Sequence, residues 1–322
     1  MSLSSSVKST ALGEILIDFT FAGTSANGER LFEQNPGGAP ANVLAAVTAL
    51  GGKTAFIGKV GNDMHGKFLR ETLEKHNIDT SSLIDTDEAF TTLAFVDLTP
   101  GGERSFSFAR KPGADTTLKA EDINEEQIKS SQIFHFGSLS LTDEPSKSAT
   151  FAALKVAKEN GVIVSYDPNY RAMLWPSEDA AKTGMRLPLD MVDIIKISDE
   201  ETKLLTDCEN IEDAAKVLHN KGICVVIITM GEKGAFVSAN GEFVCVDAVK
   251  TEVCDTTGAG DCFMGAFLYS VISNGKALSK LAKEDLKEYA TFANAAASVC
   301  VSRRGAINSM PTKEDIKNKI VE

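Results

Sequence analysis

Apolar and polar positions along this chain alternate between two periods. Short, continuous apolar runs of strand length recur: Ala11 to Phe19, Thr54 to Val60, Ile133 to Gly137, Val162 to Tyr166, Asp193 to Ser198 and Cys224 to Thr229. They are rich in Val and Ile, as strands of a parallel sheet covered on both faces must be. Between them lie stretches of helical length. One runs from Pro40 to Leu50 and stops at Gly51-Gly52; Pro suits a first helical turn and Gly a helix end. Others end near His76, span Asn124 to Ser130, run from Pro145 to Asn160, open at Ser198-Asp199-Glu200-Glu201 and fill Asp285 to Val301. This alternation predicts an α/β fold, a doubly wound, mostly parallel sheet flanked by helices. Three places break the rhythm. Phe21 to Phe32 reads as a small hairpin. Thr91 to Leu98 and Arg104 to Arg110 read as strands joined by Thr99-Pro100-Gly101-Gly102-Glu103, with no helix between. Ala235 to Ala239 and Glu242 to Val246 flank an Asn240-Gly241 turn. The first two are expected to form a small β-sheet lid from roughly 19–34 and 90–111. The expected organisation is one domain over 11–312, a loose end over 1–10 and a polar tail to Glu322.

Composition narrows the function classes. A net charge of -12 argues against nucleic acid or an anionic membrane as the main partner. It leaves an anionic small molecule open, because that depends on local groups. The six cysteines show no metal-type spacing and several lie in apolar runs, which fits free thiols in a cytoplasmic protein. No apolar stretch reaches the length of a membrane span.

The chemistry concentrates in Asp255-Thr256-Thr257-Gly258-Ala259-Gly260-Asp261, which runs straight into the apolar Cys262-Phe263-Met264-Gly265-Ala266-Phe267. A helix starting here offers backbone N–H groups with no partner inside the helix. With the dipole they form a socket for phosphate. Asp261 in the first turn is placed to take a proton from a hydroxyl while those N–H groups hold phosphoryl charge. A bare Gly-rich turn with an acid suiting the dipole is the competing explanation for that stretch alone. Asp18 stands near the end of the first strand, where a charge is costly without a partner or a task. Gly37 and Gly38 allow close approach to a ligand, and Asn42 offers a donor and an acceptor to a polyhydroxyl compound. Arg171, in Asp167-Pro168-Asn169-Tyr170-Arg171 after a strand, suits a phosphate or sugar oxygen, or equally a surface ion pair. Ser198 is a helix N-cap with Glu201 at the capping-box position, a structural role that competes with metal or phosphate binding.

Two motifs together resemble a family: Gly37-Gly38-Ala39-Pro40-Ala41-Asn42 with Gly58, Gly61, Asp63 and Gly66, and Asp255 to Asp261. Their order and separation resemble the ribokinase-type carbohydrate kinases (the PfkB family), and within it the fructokinases, from Gly13 to about Pro311. The resemblance implies a ribokinase-like fold and an ATP-dependent sugar kinase using Mg²⁺. It implies that Asp261 is the base and that Gly258, Ala259 and Gly260 form the anion hole. It implies that Asp18, Gly38 and Asn42 bind sugar. Thr229, Gly231 and Gly234 would line the nucleotide, with Asn294 and the Gly305-Ala306 turn near adenine. Ser198 and Glu201 stand where the family commonly has Asn-x-x-Glu, tied to magnesium; Ser for Asn is a departure. Asp255, the Thr257 carbonyl and Ser309 match positions around a monovalent cation such as K⁺. Ala39, where phosphorylated-sugar kinases and ribokinases often have Lys, fits a neutral sugar, most simply fructose. The alternatives are a 2-keto-3-deoxygluconate kinase using Arg110 or Arg171, a nucleoside or aminoimidazole riboside kinase, and a non-catalytic regulator that binds sugar or nucleotide. Family lid strands often pair between subunits, which implies a homodimer.

Overall fold

The computed structural model describes residues 8–98 and 104–321. The chain runs β1 (Lys8–Leu12), β2 (Leu16–Thr24), β3 (Arg30–Gly37), α1 (Ala39–Ala49), β4 (Lys53–Gly61), α2 (Met64–Lys75), β5 (Ile78–Thr86), β6 (Leu93–Leu98) and β7 (Arg104–Ala109). It continues α3 (Glu125–Lys129), β8 (Ile133–Gly137), α4 (Ser146–Glu159), β9 (Ile163–Asp167), α5 (Glu178–Arg186), β10 (Ile194–Ser198), α6 (Thr202–Thr206), α7 (Ile211–His219) and β11 (Val225–Thr229). The last elements are β12 (Ala235–Ala239), β13 (Glu242–Val246), α8 (Ala259–Asn274), α9 (Lys283–Val301) and α10 (Lys313–Val321).

Nine strands form one sheet in the order β13-β12-β11-β10-β9-β8-β1-β4-β5. All its pairs are parallel except β11–β12 and β12–β13. Side chains alternate between faces along a strand, and two cores result. Val225 and Ile227 join the core built with α1, α8 and α9, whereas Val226 and Ile228 join the core built with α4, α5 and α7. The other four strands form a separate sheet, β3-β2-β6-β7. Its inner face, including Leu16, Asp18, Thr20 and Val96, looks into a cleft. Its outer face carries Phe19, Phe21, Phe32 and Phe95; Phe32 meets Phe95 edge-on at 6.2 Å and Phe21 at 6.3 Å.

Four expectations need correction. The run Ala11 to Phe19 is not one strand. β1 ends at Leu12, the chain turns, and Leu16 opens the lid strand β2. Both pieces are buried, so the hydrophobic signal runs across the break. β1 also starts at Lys8, within the stretch expected to be loose. β5 gives no apolar signal, because this edge strand, IDTSSLIDT, alternates buried and exposed positions. The polar tail contains α10, anchored by one fully buried side chain, Ile316. The expected turn over 99–103 lies outside the described residues; the strands on either side do pair antiparallel.

Candidate active site

Between the lid and the C-terminal ends of the parallel strands lies a cleft of about 290 Å³. That is just below the roughly 300–1,000 Å³ of small-molecule sites. Asp18, Asn42, Arg171, Gly258, Gly260 and Asp261 all line it. Ala259, Asp255, Thr257 and Gly305 do too.

The mouth of α8 is held by a carboxylate that faces the turn. Asp255 Oδ1 accepts the Thr257 N–H at 3.0 Å and the Thr257 hydroxyl at 2.7 Å, and Oδ2 accepts the Gly305 N–H at 3.1 Å. Gly258 then takes φ +78°, and a Cβ there would lie 2.8 Å from the Ala306 Cβ. Only glycine meets both conditions. The first intrahelical bond runs from Cys262 N to Gly258 O at 2.8 Å. The N–H groups of Gly260 and Asp261 precede it, so they are available to an anion.

Asp261 is 7 % exposed. Asn42 Nδ2 donates to its Oδ2 at 2.7 Å, and Asn169 Nδ2 approaches Oδ1 at 3.4 Å. Burial, followed by the nearby Asp167 charge, pushes its carboxyl up to about 6; the Asn42 bond, Lys196 and Arg171 act in the opposite direction. Such a group is mostly ionised at neutral pH yet basic enough to receive a proton.

Opposite Asp261 stand the acids of the lid side. Asp18 projects from β2 beside Gly37, where a Cβ would fall 2.1 Å from the Asp18 Oδ2. Gly37 therefore keeps space for that carboxylate. Glu14, which the sequence reading did not select, also lines the cleft. Its Oε1 accepts the Ala39 N–H at 3.0 Å, while Oε2 is buried with no hydrogen-bond partner among the described residues. Burial pushes its carboxyl up to about 7. The Asn42 Oδ1 is likewise buried without a hydrogen-bond partner among the described residues.

The cations fall into two groups. Arg171 lines the cleft and donates from Nη1 to the Tyr170 carbonyl at 3.0 Å. Lys196, on β10, was also missed. It lines the cleft, is 6 % exposed and pairs with Asp167 at 2.7 Å. Burial works against its charge, but Asp167 and Glu201 outweigh that and raise the lysine's pKa. The detectable signal was one Lys inside the apolar IIKIS. Arg110 is a correction. It does not reach the cleft, because Nε binds Asp115, Nη1 binds Thr142 and Nη2 binds the Leu139 carbonyl, each at 2.8 Å.

The remaining predicted positions are spread over an adjoining edge. Ser198 and Thr229 face each other across β10 and β11. Gly231 (φ +56°) and Gly234 (φ +93°) follow in the turn into β12. Gly234 and Asn294 meet at one point: a Cβ on Gly234 would fall 2.0 Å from the Val246 carbonyl, which accepts Asn294 Nδ2 at 3.1 Å. None of these five lines the cleft itself. Glu201 accepts the Ser198 N–H at 2.8 Å and the Tyr170 N–H at 2.6 Å. The capping-box contact from Glu201 is realised. Among the described residues no three His, Cys, Asp or Glu side chains converge as a direct metal site requires. Ser309 is fully buried, and its hydroxyl donates to the Ala306 carbonyl at 2.7 Å.

A family model of pfkB family carbohydrate kinases matches residues 8–313. The chain is 44% identical over 309 residues to the probable fructokinase-5 of Arabidopsis thaliana, covering 95% of this chain and 94% of that protein. It superposes on the fructokinase of Xylella fastidiosa with bound ATP at a TM-score of 0.91 and 32% identity, covering 98% of each chain. It also superposes on a double mutant of the fructokinase of Vibrio cholerae O395 in fructose, ADP and potassium ion bound form. There the TM-score is 0.88 and the identity 32%, over 98% of this chain and 99% of the other.

Proposed function

From the premise that this chain belongs to the pfkB family of carbohydrate kinases, we propose that it transfers the γ-phosphoryl of ATP to D-fructose, giving fructose 6-phosphate. One observation carries the reading: Asp261, the open N–H groups of α8 and the sugar-side residues Asp18 and Asn42 share a single cleft. Asp261 takes the proton of the attacking hydroxyl. The sugar oxygen forms a bond to phosphorus, and the bond to the bridging oxygen of ADP breaks with its electron pair leaving on ADP. The turn of Gly258, Ala259 and Gly260 forms the anion hole: the Ala259 N–H donates back to the Thr256 carbonyl at 3.3 Å, the Gly260 and Asp261 N–H groups bind the oxygens of the transferring group, and Arg171 adds charge from the rim. Phosphoryl transfer needs this kind of positioning and charge neutralisation more than covalent help. Glu201 would help to hold a magnesium ion, whose charge would neutralise oxygens of the nucleotide. A potassium ion beside the hole, at Asp255, Thr257 and Ser309, would polarise the same turn.

A neutral sugar is supported by two features. Ala39 offers no partner to a substrate phosphate, and of the two arginines an acidic sugar could use, Arg110 is engaged with Asp115 and only Arg171 lines the cleft. The nucleotide base lies along the edge formed by Ser198, Thr229, Gly231, Gly234 and Asn294. A homodimer through the lid is supported by the outer aromatic row, in which Phe32 and Phe95 are 37% and 38% exposed; a monomer in light scattering at micromolar concentration would sink that part. The function is tested by a coupled ADP-release assay with MgATP over fructose, 2-keto-3-deoxygluconate, ribose, mannose and glucose. Fructose is expected to give the highest kcat/KM. A higher value for 2-keto-3-deoxygluconate would move the assignment to the acidic sugar. Binding without turnover on any sugar would return the regulator reading.

A further inference from the structure

We propose that Lys196 is a catalytic cation of the phosphoryl transfer: its ammonium, fixed by Asp167 beside the α8 mouth, contacts an oxygen of the transferring group. The proposal rests on the phosphoryl-transfer reading above. Its position is the first argument. Lys196 lines the cleft, and its Nζ lies 3.3 Å from where a Cβ on Gly260 would sit. That is the turn whose N–H groups face the anion, so the charge and the backbone donors converge on one point.

Economy of partners is the second argument. An ammonium has three N–H donors. Among the described residues its one ionic partner is Asp167, at 2.7 Å. Its strand neighbours Ile194, Ile195 and Ile197 are fully buried and apolar. A buried ion pair in such surroundings is commonly replaced by apolar residues without loss of stability. This pair keeps donors directed at a cleft, where a fixed charge stabilises a developing one without reorganisation. Asp167 is a positioning residue: it keeps the lysine charged and aimed.

The competing account gives Lys196 no task beyond neutralising Asp167. The variants Lys196→Met, Lys196→Arg and the pair Lys196→Met with Asp167→Leu separate the two. Removing one such donor from a transition state lowers kcat about 100-fold or more. We expect that loss in Lys196→Met and equally in the double variant, with an unchanged KM for fructose and a melting temperature in the double variant close to the parent's. Lys196→Arg should recover part of the rate. A double variant within about threefold of the parental kcat overturns the proposal, since the pair would then be dispensable as a unit. Binding of MgADP with aluminium fluoride, read by calorimetry, supplies a readout independent of the sugar. Lys196→Met should weaken binding of that phosphoryl mimic about 100-fold while leaving MgADP alone unaffected. Equal weakening of both overturns the role in transfer. If the parent binds the mimic yet turns over no fructose, the sugar assignment fails while the lysine is still judged by the binding ratio. If the parent binds neither nucleotide nor mimic, both readings fall.

Discussion

Among the described residues two ion pairs have both partners buried, and one of the two faces the cleft. Arg110–Asp115 and Lys196–Asp167 have the same contact length, 2.7 Å, and all four residues are at most 6% exposed. They differ in what surrounds the cation. The Arg110 fork is closed on every side by Asp115, Thr142 and the Leu139 carbonyl, a lattice that ties the segment after the lid strand β7 to the loop after β8. Lys196 has its carboxylate on one side and the α8 turn on the other. A buried cation whose donors are all engaged is architecture, whereas one with donors left over at a cleft is equipment for an incoming anion. Residue type and burial do not distinguish the two; the inventory of partners does.

The sharpest test of this contrast removes the acid that only the second pair can influence. Asp261→Asn should lower kcat about 10³-fold, within the range for loss of a general base, measured by steady-state ADP release. In the parent, kcat/KM should fall as pH drops through about 6, where Asp261 takes up its proton. The stability change has the opposite sign. The folded state raises the Asp261 pKa from 3.8 to about 6, so it binds that proton more tightly than the unfolded chain does. The stability linked to this group is present below the unfolded value and lost as pH rises through about 6. Asp261→Asn should therefore be more stable than the parent at pH 8, by on the order of 3 kcal/mol, and the gain should vanish by about pH 4 in urea titrations. A variant both inactive and less stable at pH 8 would show that the acid serves the fold.

A second test strikes the other pair. Arg110→Met leaves Asp115 buried without its cation and should cost about 3–5 kcal/mol of unfolding free energy. The kcat of the molecules that remain folded should stay within about threefold of the parent. A collapse of kcat with stability intact would erase the distinction drawn here. The smallest quantity to be read is the shift of the pH profile in Asp167→Asn, a variant that also breaks the second pair. Asp167 raises the Asp261 pKa, so removing its charge should move the acid limb of kcat/KM to lower pH, whereas Arg110→Met should leave that limb in place.

Much of this arrangement was legible in the chain. The α8 mouth announced itself as a helix start, because Gly258, Gly260 and Asp261 are close in sequence. The alternation of strand and helix predicted the main sheet for the same reason. What escaped depends on contacts across sequence distance. Arg110 and Arg171 are equivalent candidates as letters; only packing shows that one is surrounded and the other exposed. Lys196 and Glu14 sit inside apolar runs, where a single charge reads as an interruption. Their proximity to Asp261 and Asn42 arises only when separate strands are laid side by side. β1 and β2 merged into one run because hydrophobicity reports burial and not which sheet does the burying. Asn294 was expected near a nucleotide, and its present bonds go to the Val246 and Asp247 carbonyls, a link of 47 residues or more that no local pattern encodes.

Gly38 is the one residue between the end of β3 and the start of α1. Three residues into that helix, Asn42 clasps the carboxylate of Asp261. Any tilt of the roof over the cleft must therefore either be absorbed in the torsions of this single glycine or be delivered to the amide that aims the base. In the proposed reaction, covering the sugar and orienting the proton acceptor would be geared through one joint.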